Sequence, residues 1–238
     1  MYLFAHAFAG CLIGLIFSRI SHDRRALPVC LAGAVLPDII DKPLAILIPA
    51  IFGSSRTLGH TLLFVVLLLL AGLCVWRYHD SLLGIAFACA VFSHQFLDTI
   101  WNLPGTWYFP LLGRFPVILV PDYVGLSIWN EISTVSEWIF GCAVIVIIAG
   151  WYLDDQERHP MAPVAENRLV PARFTVFVLL VLTGIVLLIP ATGLFAGSIF
   201  APTYNPCTTA MAGILALGGA VVLAHEYGLS RYLSNLPA

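Results

Sequence analysis

Six ionisable side chains, three histidines and three aspartates, stand in stretches of sequence that are otherwise almost wholly apolar. They are His6, Asp38, Asp41, His60, His94 and Asp98. An ionisable group in an apolar segment is costly unless it is paired, hydrated or bound to an ion, so such groups are functional candidates. Imidazole together with carboxylate is a ligand set typical of zinc, manganese or iron. The six residues therefore predict a divalent metal site, most simply a zinc site, with manganese or iron as alternatives.

The most specific pair is His94 and Asp98, because they are four residues apart. Residues at this spacing share one face of a helix, so an imidazole and a carboxylate can hold the same cation. Simpler interpretations exist for each residue. This pair could form a hydrogen bond that pins a helix end, the other aspartates could cap a helix, and the other histidines could be hydrogen-bonded structural residues. The metal site is favoured because independent caps would not need to gather on one side of a membrane.

The six residues are expected to have different roles. We expect His60, His94 and Asp98 to be metal ligands, with Asp38 as a bridging or fourth ligand and His6 completing a second ion. A bound ion lowers the pKa of a water molecule to about 7 and polarises a phosphoryl or acyl oxygen. This ligand set therefore favours hydrolysis.

Two residues are candidates for catalysis. Asp41 is either a further ligand or the general base that holds the attacking water. Arg56 lies four residues before His60 and is placed to clamp an anionic phosphate. The alternative for Arg56 is a side chain that extends its charged end to the membrane interface.

Composition indicates where these residues must function. The chain has 238 residues, of which 60% are apolar and 10% are charged, and its mean hydropathy is +0.95. Soluble domains usually carry about 25% charged residues, so this is an integral membrane protein. With a net charge of −2 and only 11 lysines and arginines, the chain has no electrostatic case for binding nucleic acid. The six cysteines are scattered singly and are expected to be small packing residues.

The apolar stretches predict an all-α, polytopic transmembrane helix bundle with about seven spans. The expected spans are 2–18, 27–52, 61–76, 82–100, 137–153, 174–195 and 207–225. The second is expected to be broken by Pro37 and Pro43, giving a helix to about residue 37, an irregular turn and a short apolar piece.

Basic residues predict the orientation. Eight of the 11 lysines and arginines fall in 19–26, 77–81, 154–173 and 226–238, which face the cytoplasm if the N-terminus is outside and the C-terminus inside. This places the six ionisable residues on the outer side. The polar segment 154–173 is interpreted as a linker between a metal-site domain, 1–153, and two accessory helices in 174–238.

The long outer segment 101–136 is rich in tryptophan and tyrosine. It is interpreted as a lid or substrate groove, or more simply as a set of interfacial anchors. Asp122, Glu131 and Glu137 are further acids in or next to it, and Glu137 is the best reserve ligand. A site at this depth makes membrane lipids the expected partners and a lipid or lipid-linked phosphoester the expected substrate.

The order of these motifs resembles a known family. Leu-Pro-Asp at 36–38, followed by Asp41, Arg-x-x-x-His-Thr at 56–61 and Ser-His-x-x-x-Asp at 93–98 are similar to the LexA-binding, inner-membrane-associated hydrolases, also called membrane-bound metal-dependent hydrolases. The resemblance covers about residues 1–115 and implies a metal-dependent hydrolase. A more distant similarity links Asp38, His60, His94 and Asp98 to zinc-dependent phospholipase C. These residues give no indication of LexA binding.

Two other functions compete with hydrolysis. The first is a transporter or metal-ion carrier, in which histidine and aspartate form a transport site. Against it, the six residues gather towards one face of the membrane, and no inverted repeat is evident. The second is a membrane scaffold in which a bound ion stabilises the fold without turnover.

Overall fold

The computed structural model describes residues 3–115, 123–157, 166–191 and 206–226. Every regular element in these ranges is a helix, which confirms the all-helical fold. The chain forms two compact units, Met1–Ser133 and Thr134–Ala238. The division therefore falls about 20 residues before the expected domain boundary at 153, because the helix that follows Thr134 packs within the second unit.

The first unit contains seven α-helices and two short 3-10 turns among the described residues. The helices are α1 (Leu3–Ser21), α2 (Ala26–Leu47), α3 (Pro49–Phe52), α4 (Leu62–His79), α5 (Leu83–Leu97), α6 (Pro104–Trp107) and α7 (Tyr123–Ser133). The 3-10 turns are Leu58–His60 and Ile100–Asn102. Helix α2 packs against both α1 and α5, and α4 packs against α5.

The expected break in the second span is wrong. Helix α2 continues through Pro37 and Pro43, although each proline removes one backbone donor. Packing against helices on two sides compensates for the lost hydrogen bonds, since tertiary contacts supply most of the stability of helices in proteins. The helix ends instead at Leu47, and the next residue, Ile48, has a non-helical φ of −133°. Ile48 directly precedes Pro49, and a residue before proline disfavours the helical conformation.

Small side chains allow close packing around α2. Cys30 and Ala34 of α2 are fully buried against Ala86 and Ala90 of α5, and Ile13 and Phe17 of α1 cover the same cluster. This packing holds the first half of α2 next to the first half of α5. Most of the candidate site residues lie just beyond it on these two helices.

Helices α4 and α5 approach each other most closely at Gly72 and Gly84. A Cβ atom at Gly72 would lie 2.6 Å from the carbonyl carbon of Gly84, so there is no room for one without a backbone shift. We expect Gly72→Ala to lower the free energy of unfolding by about 1–3 kcal/mol through overpacking, measured by thermal denaturation in detergent. The control is Gly218→Ala, since no atom lies within 4 Å of that Cβ position; equal melting temperatures would contradict the prediction.

The second unit is built from three long helices among its described residues. They are α8 (Val135–Glu157), α9 (Glu166–Ala191) and α10 (Pro206–Glu226), and α9 packs against both α8 and α10. The segment expected to be a linker, 154–173, is therefore helical at both of its ends. Residues 158–165 between them lie outside the described residues.

Five helices in the described residues are long and apolar enough to cross a membrane. These segments are Leu3–Ser21, Leu62–His79, Val135–Leu153, Pro171–Leu188 and Cys207–Glu226, and each overlaps an expected span. Helix α5 is apolar but has only 15 residues, and α2 carries three charged side chains in its second half. The chain is a helical membrane protein, and the count of about seven crossings stays a prediction.

Candidate metal centre

Four segments of the first unit bring the predicted residues together. Helix α1 supplies His6, α2 supplies Asp38 and Asp41, and the 3-10 turn that precedes α4 supplies His60. The last turn of α5 supplies His94, and Asp98 is the residue that caps this helix. The three histidines and Asp41 are almost completely buried. Buried polar atoms are costly unless they make hydrogen bonds or bind an ion.

The two central imidazoles are held in defined orientations from behind. His94 Nδ1 lies 2.6 Å from the carbonyl oxygen of Ala34, and His60 Nδ1 lies 2.7 Å from Asp41 Oδ2. A carbonyl or carboxylate oxygen can only accept, so both Nδ1 atoms carry hydrogen. In the neutral rings both Nε2 atoms then carry lone pairs.

These two Nε2 atoms face each other at 3.1 Å. Two lone pairs at this distance repel, whereas a cation near both nitrogens converts the repulsion into two favourable contacts. A hydrogen-bonded Nδ1 behind a ligating Nε2 is the usual arrangement around a metal ion, because it fixes the tautomer and the ring orientation. The pair is therefore organised as metal ligands are.

Two carboxylates and the third histidine complete the arrangement. Asp98 Oδ2 lies 3.6 Å from His60 Nε2, and Asp38 Oδ1 lies 3.7 Å from His94 Nε2. His6 Nε2 lies 3.2 Å from Asp98 Oδ1. Two sets of ligand atoms, each within 4.8 Å of one another, include His94: one with His6 and Asp98, the other with Asp38 and His60. We call these five residues the metal cluster.

His6 is the least satisfied member of the metal cluster. Its ring stacks on that of His94, with centroids 3.8 Å apart and planes at 20°. Within the described residues neither of its ring nitrogens makes a hydrogen bond of good geometry, although Nε2 is close to Asp98. A buried imidazole nitrogen without a hydrogen bond is costly, and coordination of an ion would remove that cost.

Asp41 lies behind His60 rather than beside the other carboxylates. Its Oδ2 accepts hydrogen bonds from Thr57 N–H at 2.6 Å and from His60 Nδ1, and its Oδ1 accepts from Gly59 N–H at 2.9 Å. The structure thus differs from the expectation of a ligand or general base, since both oxygens already bind the turn that carries His60. The physical reason is that residues three apart on a helix point about 60° away from each other.

The acidic surroundings of His60 favour a positive charge there. This residue lies in the 3-10 turn before the apolar part of α4. Burial by itself lowers the pKa of His60, but the hydrogen bonds and charges of Asp41 and Asp98 outweigh it and raise the pKa above its usual value. The same field that favours a proton favours a metal cation.

Basic side chains flank both carboxylates of the metal cluster. Arg56 Nε lies 2.8 Å from Asp98 Oδ2, and Lys42 Nζ lies 2.7 Å from Asp38 Oδ2. Arg56 thus lies at the site, as the motif spacing predicted, and it contacts a carboxylate of the protein. Lys42 has no counterpart in the sequence-based prediction, where it was one of the few basic residues assigned to the outer side.

Sequence reasoning also missed Gln95. This residue is fully buried, and its Nε2 donates hydrogen bonds to the carbonyl oxygens of Gly59 at 2.8 Å and Thr61 at 3.1 Å. It therefore fixes both neighbours of His60 to α5, the helix that carries His94. A glutamine next to His94 in an apolar helix was the available signal.

The remaining acids have other positions. Glu131 accepts hydrogen bonds from the backbone N–H groups of Leu3 at 3.0 Å and Phe4 at 3.3 Å, so it caps the start of α1. Glu137, the expected reserve ligand, is buried in the second unit. Asp122 lies outside the described residues.

Comparison with known proteins identifies one family. A family profile described as YdjM inner membrane protein matches residues 1–188. No curated protein and no solved structure matches the chain significantly.

Proposed function

Because the chain belongs to the YdjM inner membrane protein family, and is therefore a multi-pass protein of the inner membrane, we propose that it is a metal-dependent hydrolase. One observation carries the proposal: His60 and His94 present two Nε2 atoms to each other at 3.1 Å, while both Nδ1 atoms are held by acceptors. With both rings neutral this arrangement is unfavourable, and a cation near the two nitrogens relieves it.

The donor set fits a divalent transition metal. Three imidazole nitrogens and two carboxylates combine the ligand types preferred by zinc, manganese and iron, whereas magnesium and calcium prefer oxygen alone. His6, whose nitrogens lack hydrogen bonds of good geometry among the described residues, would gain the most from coordination. When bound, such an ion supplies a water molecule of lowered pKa and neutralises charge on a phosphoryl or acyl oxygen.

The protein's own residues have distinct roles in this proposal. Asp41 and the Ala34 carbonyl orient the rings of His60 and His94 through their Nδ1 atoms, and they are positioning groups. Arg56, which is partly exposed beside Asp98, orients an anionic substrate. Burial of the histidines excludes bulk water, which strengthens each electrostatic interaction at the site.

The membrane arrangement completes the proposal. With about seven crossings, an outer N-terminus and a cytoplasmic C-terminus, the metal cluster faces the outer side at the depth of the lipid head groups. A phosphoester, in particular a lipid or lipid-linked one, is then the substrate class within reach. The excess of lysine and arginine in the segments assigned to the cytoplasm supports this orientation.

Metal removal and restoration test the proposal. The protein purified in detergent is treated with a chelator, then resupplied with zinc, manganese or iron, and assayed with phosphodiester and phospholipid substrates. We expect hydrolysis to be lost on chelation and restored by one of the three ions. A protein that binds no metal, or that binds it without any hydrolysis, contradicts the proposal. Metal uptake into proteoliposomes without hydrolysis would instead favour the carrier function.

A further inference from the structure

Each carboxylate of the metal cluster has a basic partner on its solvent side. Lys42 Nζ lies 2.7 Å from Asp38 Oδ2, and Arg56 Nε lies 2.8 Å from Asp98 Oδ2. The basic side chains are 38% and 37% exposed, whereas the carboxylates are 13% and 5% exposed. Each basic side chain is thus more exposed than the carboxylate that it contacts.

The two carboxylates are connected to each other by short contacts through the histidines. Asp38 Oδ1 lies within 4 Å of His94 Nε2, and Asp98 Oδ2 lies within 4 Å of His60 Nε2. The two Nε2 atoms are themselves 3.1 Å apart. An anion bound at the metal cluster would therefore lie close to Lys42 and Arg56.

Charge accounting shows when an anion would be attracted. With neutral histidines, the carboxylates of Asp38, Asp41 and Asp98 outweigh Lys42 and Arg56 by one negative charge. A divalent ion reverses this to an excess of one positive charge. Asp98 Oδ2, which faces His60 Nε2, is also the oxygen that Arg56 contacts, whereas Lys42 contacts Asp38 Oδ2 and leaves Oδ1 facing His94. Metal binding therefore adds two positive charges to this region and strengthens its attraction for anions.

The surface next to Lys42 is apolar. Ile39 and Ile46 lie three residues before and four residues after Lys42 on α2, so they share its face of the helix, and both are exposed. Leu58, two residues after Arg56, is exposed as well. In a membrane protein such residues face lipid, and the long aliphatic stem of lysine can lie along them. An anionic ester with a hydrocarbon group could therefore contact the basic side chains with its charged part and these apolar residues with its hydrocarbon part.

We propose that Lys42 and Arg56 together form an anion site for the phosphate group of an ester substrate, and that this site acts only when the metal cluster is loaded. The inference rests on the proposed function and extends it by a second cationic residue and by the charge of the substrate. Monodentate contacts from lysine and directed contacts from arginine are both common in phosphate recognition.

Phosphate binding to the metal-loaded protein tests the site. The probe is inorganic phosphate, titrated by calorimetry into wild type, Lys42→Gln and Arg56→Gln, with metal content measured on the same samples. We expect each variant to keep its metal and to bind phosphate about tenfold more weakly, which is the usual effect of losing one charged hydrogen bond. The matched control is Arg25→Gln, because Arg25 is an exposed arginine that pairs with Asp23 away from the site. Wild type stripped of metal should bind phosphate no better than the variants.

The outcomes separate this inference from the proposed function. If wild type retains metal but both variants bind phosphate as well as the control does, the anion site is wrong and the metal centre stands. If wild type retains no metal, both the anion site and the proposed metal-dependent function are wrong.

Competition then identifies the source of the phosphate. Stronger displacement by phosphatidate in nanodiscs than by glycerol phosphate indicates a lipid, and the reverse indicates a soluble ester. Either result supports the site. If neither ligand displaces the bound phosphate, the anion site is wrong.

Discussion

We expect the protein with His94→Ala and Asp98→Ala together to retain no divalent metal under conditions in which wild type retains it. His94 belongs to both sets of ligand atoms in the metal cluster, and Asp98 contacts both His6 and His60. The double change thus removes the shared nitrogen and a carboxylate next to the two other histidines. Elemental mass spectrometry of the detergent-purified proteins measures the effect, and hydrolysis should disappear with the metal.

The control removes the same two types of side chain elsewhere. His225 and Glu226 end α10 in the second unit, so His225→Ala with Glu226→Ala should leave the metal content unchanged. The two proteins also distinguish a metal site from a clasp at a helix end. If wild type holds no metal and the His94 and Asp98 changes lower only the melting temperature, these residues stabilise the fold and do not bind an ion.

The residue types of the metal cluster were predictable because lipid penalises each of them. Histidine and aspartate in apolar segments are conspicuous at any position, so His6, Asp38, His60, His94 and Asp98 could be selected before any contact was known. The structure brings all five together. The helices were predictable for the same reason, since apolar stretches of sufficient length have few alternatives in a membrane.

The contacts behind the ligands were not predictable. The Ala34 carbonyl that orients His94 is a backbone group, and no residue type signals its use. Likewise, Asp41 and Asp38 look equivalent in sequence, and their different directions on α2 matter only once the position of the turn that carries His60 is known. Lys42 was not predicted to lie at the site, because only the structure shows its contact with Asp38.

The second large effect is expected for Asp41→Asn. Asparagine has nearly the same shape, but one of its two terminal groups is an NH2 that cannot accept a hydrogen bond. Three donors converge on Asp41, namely Thr57 N–H, Gly59 N–H and His60 Nδ1–H, so at least one of them must face another donor. Leaving a buried donor unsatisfied costs about 1–3 kcal/mol.

This loss should be transmitted to the metal through His60. Without a carboxylate at Nδ1, the imidazole is a weaker base and is free to adopt the other tautomer, which places hydrogen on Nε2. Partners of this kind typically change metal affinity by about 10–100-fold, and we expect a decrease in that range, measured by competition with a chelator. Asp23→Asn is the control, because Asp23 is an aspartate that pairs with Arg25 in a loop. A lower melting temperature with unchanged metal affinity would show that Asp41 only stabilises the turn. If the melting temperature and the metal affinity are both unchanged, the orientation of His60 does not depend on this carboxylate.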